Sequence, residues 1–149
     1  MGAATMGAAT LSATIDLPAA SRSVPAARRV VTELLRSWAA ERYRDDANLL
    51  VSELVTNVVR HVGGTSAMVL EVQLSEPGLR IGVVDASTAR PSAREHPTTA
   101  VGGHGMRLVA AVADRWGSEA CRGGKRVWFE LATRGRPAGR TGGGFAEQA

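Results

Sequence analysis

The sequence predicts an α+β fold, a two-layer α/β sandwich in which helices gather on one face of a mostly antiparallel, mixed sheet. Three observations lead there. Segments with alternating apolar residues and segments with helical apolar spacing follow in the order strand, helix, helix, two strands, long loop, helix, two strands. The 149 residues are one domain's worth, a size at which roughly 68 to 70% of the unfolded surface leaves water. Hydrophobic residues make up 44% of the chain and aromatics only 4%, so the core is expected to be aliphatic.

The chain opens with MGAAT repeated twice, a low-complexity start from which no structure is expected over residues 1–10. From Leu11, the alternation of Ala13, Ile15 and Leu17 predicts a short edge strand that stops at Pro18. Ser23, with Pro25 just inside, predicts a helix start, and Val30, Val31, Leu34, Leu35 and Trp38 form its apolar stripe. Asp45 or Asp46 is expected to cap a second helix that runs to His61 and stops before Gly63 and Gly64.

Leu70, Val72 and Leu74, then Leu79, Ile81 and Val83, alternate with polar residues or glycine on either side of Pro77-Gly78, which predicts a hairpin. Residues 86–103 are rich in Ser, Thr, Pro, Arg and Gly, and a loop of that length points to a functional lid. A third helix should begin near Gly105 and carry Met106, Leu108, Val109 and Val112. Strands around 116–121 and 125–131 then flank Gly123-Gly124. The folded domain is expected to span residues 11–132, with 133–149 as a flexible tail.

The net charge of +4 and pI of about 10.5 raise the question of a nucleic-acid partner. The arginines are scattered from Arg22 to Arg140 without a basic run, and the few aromatics form no stacking platform, so nucleic acid is disfavoured. Cys121 is the only cysteine, which excludes an internal disulfide and a cysteine-based zinc site and fits a reducing, cytoplasmic setting. No apolar run reaches the 18 or more residues, roughly, that a membrane span needs, so no membrane partner is expected.

Chemistry concentrates in three segments. In SELVTNVVRH, Glu53, Asn57 and His61 recur every fourth residue among valines and a leucine. Val51, Leu54, Val55, Val58, Val59 and Val62 fall within an arc of about 140°, while Glu53 and Asn57 are neighbours on the complementary, polar arc. In VVDAS, Asp85 closes a strand ahead of the lid. In GGHGMRLV, glycines precede a helix whose free N–H groups and dipole suit phosphate oxygens. Alone, each has an ordinary structural reading: a solvated helix face, a strand-end turn former, a loop needing positive φ. Neither a P-loop nor a dinucleotide-binding fingerprint is present.

In this order, ELVTNVVRH, VVDAS and GGHGMRLV resemble the N, G1 and G2 boxes of the GHKL ATPase superfamily, which includes gyrase B and histidine kinase catalytic domains. With ADRWG and GGKRVWFEL following, the chain looks most like the anti-sigma-factor serine kinases and their stand-alone ATP-binding relatives, over about residues 26–131. The resemblance implies ATP and Mg²⁺ as cofactors. It makes Glu53 the base that accepts a proton from an attacking hydroxyl and Asn57 the ligand of Mg²⁺ within the ATP site. Asp85 becomes the acceptor of the adenine amine, a position where guanine would present an oxygen instead. Gly103, His104, Gly105 and Met106 lie along the phosphates in the G2 box, and Leu108 anchors the helix that follows. Ser87, and Ala89 beyond it, stand where the superfamily's G1 box often has glycines, so Ser87 is assigned to the ATP site through its hydroxyl. His61, at the helix C-terminus, is read as a dipole partner rather than a catalyst.

The implied function is a protein serine kinase and anti-sigma factor of a partner-switching system. It would phosphorylate an anti-anti-sigma-type protein on serine and sequester a sigma factor. The altered G1 box keeps an alternative open, an ATP-binding regulatory module that acts by protein contact without catalysis. The first strand and helix offer surfaces for a homodimer.

Overall fold

Each element carries its apolar residues on one side, and the fold results from bringing those sides together. The computed structural model describes residues 10–62, 66–85, 107–121 and 123–132. Its elements are β1 (Leu11–Pro18), α1 (Ser23–Ser37), a single 3₁₀ turn (Glu41–Tyr43), α2 (Arg44–His61), β2 (Ala67–Ser75) and β3 (Gly78–Asp85). They continue with a helical stretch α3 (107–112), β4 (Arg115–Cys121) and β5 (Gly124–Ala132). The first residues, Gly63 and Gly64, the expected lid and the expected tail lie outside the described residues.

The five strands form one sheet in the order β1-β2-β3-β5-β4, and every ladder is antiparallel. The α+β expectation holds. The two-residue link Glu76-Pro77 pairs Ser75 with Gly78, whose φ of 146° lies in a region that glycine alone adopts without strain. The β3-to-β5 neighbour relation sets the second hairpin beside the first, with α3 in the crossover.

Strand alternation divides the sheet into two faces. Ile15 and Leu17, Met68, Leu70 and Val72, Leu79, Ile81 and Val83, and Phe129 and Leu131 look toward the helices and form the core with Val31, Leu35, Leu50, Val51, Leu54 and Val55. The opposite face carries Glu71, Arg80, Arg126 and Glu130 as an ion-pair lattice, with Arg80 to Glu130 and Arg126 to both Glu71 and Glu119 at 2.9 Å. Hydrogen bonds to Glu71 and then to Glu119 raise the Arg126 guanidinium further above its ordinary range, so it stays charged. On the same face Trp128 pairs directly with Gly82 and Gly117. A Cβ on Gly117 would come within 2.9 Å of the indole, and Arg80 stacks on the ring at 4.1 Å from its centroid.

Helix boundaries follow backbone geometry more than the expected caps. α1 starts at Ser23 as expected, but the Ser23 hydroxyl donates to Pro18 O at 2.6 Å instead of capping, which ties the helix start to the end of β1. The helix closes in a Schellman arrangement, Ala39 N–H to Arg36 O at 3.1 Å and Ala40 N–H to Leu35 O at 2.8 Å, with Ala39 at φ 55° where glycine is usual. α2 begins at Arg44, so neither Asp45 nor Asp46 is its cap. Both lie in the first turn, where their charge complements the positive end of the helix dipole. Leu108 does not anchor α3: it is 36% exposed, while its neighbour Val109 is fully buried and supplies that anchor.

Candidate functional site

α2 has three kinds of surface, and they determine which side chains are available for chemistry. Ala47, Leu50, Val51, Leu54, Val55 and Val58 are buried, where the helix lies on β3 and β5. Leu50 belongs to this buried set, whereas Leu49 is exposed. A second surface meets α1. There the Asn48 amide donates to Thr32 Oγ1 at 3.1 Å, Ser52 Oγ donates to Asn48 O at 2.8 Å, and Arg28 donates to Ser52 Oγ at 3.3 Å. Asn48 and Ser52 therefore belong to an interhelical seam.

Glu53 and Asn57 lie about 100° and 140° further round the helix than Ser52, so they look away from that seam. Both are half-buried. His61 ends the same ridge and is exposed at the helix C-terminus. The spacing that marked these residues in the sequence becomes one ridge along α2.

Asp85 is the last residue of β3 and alternates in phase with Leu79, Ile81 and Val83, which puts it on the sheet face that α2 covers. It is 1% exposed. Its partner across β2 is buried Met68, and its partner across β5 is Lys125, whose Nζ stands 4.0 Å from Asp85 Oδ2. Lys125 is likewise on the helix-facing side, in phase with Val127 and Phe129. A buried carboxylate is retained only where charge or hydrogen bonding compensates for lost water, and the ammonium is one such compensation.

Connectivity brings α2 to this end of the sheet. Four peptide links separate Val62 from Ser66, a reach of at most about 14 Å, and β2 begins one residue later with Met68 beside Asp85. Asn57 lies only about 7 Å along the helix axis from Val62. The structure therefore turns Glu53 and Asn57 away from the α1 seam on one side of α2 and sets Asp85 on the sheet face that α2 covers. Ser87, Gly103, His104, Gly105 and Met106 lie outside the described residues.

The donor chemistry suits a magnesium nucleotide. Asn57 offers an amide oxygen, the sort of single contribution that suits Mg²⁺, which takes its remaining ligands from water and phosphate. Glu53 offers a carboxylate one turn away, and Asp85 a sheltered acceptor for an amine. Among the described residues there is no group of three or more His, Cys, Asp or Glu that could hold a metal by itself. No helix among them is long and apolar enough to cross a membrane.

The sequence reading missed Lys125. Its signal was available: it is the chain's only lysine, directly after the glycine turn that opens β5. Only strand register shows that it faces Asp85.

A model of the histidine kinase-like ATPase domain family matches residues 17–131, from the end of β1 to the end of β5. No curated protein matches the chain.

Proposed function

The chain belongs to the histidine kinase-like ATPase domain family, and we propose that it binds MgATP between the Glu53–Asn57 flank of α2 and Asp85, and acts as a protein serine kinase. The observation that carries this reading is the placement of Asp85. It is a buried carboxylate on the helix-facing side of the central strand, at the sheet end to which α2 returns. In this reading Asp85 accepts a hydrogen bond from the adenine amine, and Asn57 holds Mg²⁺ through its amide oxygen. Bound Mg²⁺ neutralises charge that builds on the phosphates during transfer.

Glu53 accepts the proton of a serine hydroxyl on a partner protein. As that oxygen forms its bond to the γ-phosphorus, the bond from phosphorus to the ADP oxygen breaks. The partner is an anti-anti-sigma-type protein, and the kinase in its nucleotide-bound form sequesters a sigma factor in the cytoplasm. The test is incubation with γ-labelled ATP and candidate anti-anti-sigma-type proteins. Label on a partner serine, lost in Glu53→Gln, is the expected result; no Glu53-dependent transfer overturns the kinase reading.

Ser87 and Ala89, in place of glycines that the resemblance leads one to expect, support a second reading, an ATP-binding module that works by contact alone. Tight MgATP binding together with undetectable phosphoryl transfer selects it.

A further inference from the structure

Resting on the nucleotide site proposed above, we infer that the hydrogen bond between Thr32 of α1 and Asn48 of α2 is a positioning element of that site. It fixes the roll of α2 about its own axis and so aims Asn57 and Glu53. The bond runs from the Asn48 amide to Thr32 Oγ1 at 3.1 Å, between two half-buried side chains. Asn57 follows Asn48 by nine residues, which at about 100° each is half a turn round the helix, and Glu53 lies about 140° round. Seam and site thus occupy opposite sides of one cylinder.

The sheet side of α2 consists of Ala47, Leu50, Val51, Leu54, Val55 and Val58, whose burial is non-directional. Such contacts decide which arc faces β3 and β5, but they contain no bond with an angle to keep. A roll of about 10° moves a side-chain tip that lies about 5 to 6 Å from the axis by about 1 Å. Misplacement of that size is enough to cost about a hundredfold in a reaction that needs aligned atoms.

α1 can hold α2 against such a roll because it is itself tied to the sheet. Ser23 Oγ donates to Pro18 O at 2.6 Å, and Pro18 pairs with Ala67, next to the Met68 that stands across from Asp85. A continuous frame therefore runs from the base end of the site through β2, β1 and α1 to the seam. Ser52 reinforces it, accepting from Arg28 at 3.3 Å. Packing alone does not need the Thr32 and Asn48 polar groups, since an apolar pair of the same shape is close to neutral for stability.

That equivalence supplies the test. Thr32→Val/Asn48→Leu removes both partners together and strands no polar group, so the nucleotide-free melting temperature should stay close to wild type. ATP is then titrated calorimetrically into the full chain, once with EDTA and once with Mg²⁺. The metal demands near-ideal octahedral geometry and reports where Asn57 points, whereas the base end is built on the sheet and does not depend on the roll. Mg²⁺ is expected to tighten binding by at least about tenfold in the wild type and by less than about threefold in the double variant, with the metal-free dissociation constant unchanged within about twofold. Thr32→Ser, which keeps the hydroxyl, should retain the wild-type gain. Thr32→Val alone should lose it, and gives the same reading should the double variant not fold.

A double variant that melts like the wild type and keeps the full gain from Mg²⁺ overturns the inference and leaves the nucleotide site standing. So does an equal loss with and without metal, which marks general loosening. A wild type that binds no ATP, or binds it without any gain from Mg²⁺, removes the metal-nucleotide site and the inference with it.

Discussion

Glu53 and Asn57 stand one helical turn apart on α2, both half-buried, and both turned away from the α1 seam in which Ser52 accepts from Arg28 at 3.3 Å. A carboxylate and an amide thus share one flank of the helix, while Asn48 and Ser52 serve its packing against α1. Their separate roles can be resolved by substitution.

Glu53→Gln preserves size and polarity but removes the base. Phosphoryl transfer is expected to fall by about 10² to 10⁴-fold while MgATP affinity changes little. Single-turnover transfer of labelled phosphate, measured beside a binding isotherm, separates the two effects.

Asn57→Ala lies off the valine stripe, so the melting temperature without nucleotide should hardly move. Saturating MgATP stabilises the wild type by mass action, about 2.7 kcal/mol at a hundredfold excess over Kd, and the variant should gain clearly less. Thermal melts with and without MgATP report the difference.

Ala39 closes α1 at φ 55°, a left-handed conformation that strains a residue with a Cβ. Ala39→Gly relieves that strain at some loss of unfolded-state restriction. The net gain is expected to be about 0.5 to 1 kcal/mol in urea unfolding, with an unchanged m-value.

Adjacent residues of α3 should behave oppositely. Val109 is fully buried and Leu108 is 36% exposed. Val109→Ala is expected to cost about 2 kcal/mol, and Leu108→Ala less than about 0.5 kcal/mol, although leucine is the larger side chain. Equilibrium denaturation of the pair checks which residue holds the helix.

Where a residue's neighbours lie close in sequence, the chain could be read directly. The alternation of Leu70, Val72 and Leu74 and of Leu79, Ile81 and Val83 gave both strands of the first hairpin. The valine spacing gave the buried face of α2 and the polar placement of Glu53 and Asn57. What escaped depended on distant partners. Asn48 and Ser52 look like solvent-facing polar residues until α1 brings Thr32 and Arg28 against them.

Lys125 looks like a surface lysine until β5 pairs with β3 and sets it beside Asp85. Leu108 and Val109 are both apolar, and only the rotation of α3 on the core decides which one is buried. The caps escaped for a local reason. Tyr43 and Arg44 continue the preceding 3₁₀ turn straight into α2, which leaves Asp45 and Asp46 inside the first turn.

The central claim is that the α2 flank and the end of β3 serve one nucleotide. Calorimetric titration of MgATP into the wild type, Asn57→Ala and Asp85→Asn tests it most directly. The account predicts one site per chain in the wild type and at least about tenfold weaker binding in each variant, with both variants still melting cooperatively. Wild-type affinity in both folded variants would contradict it.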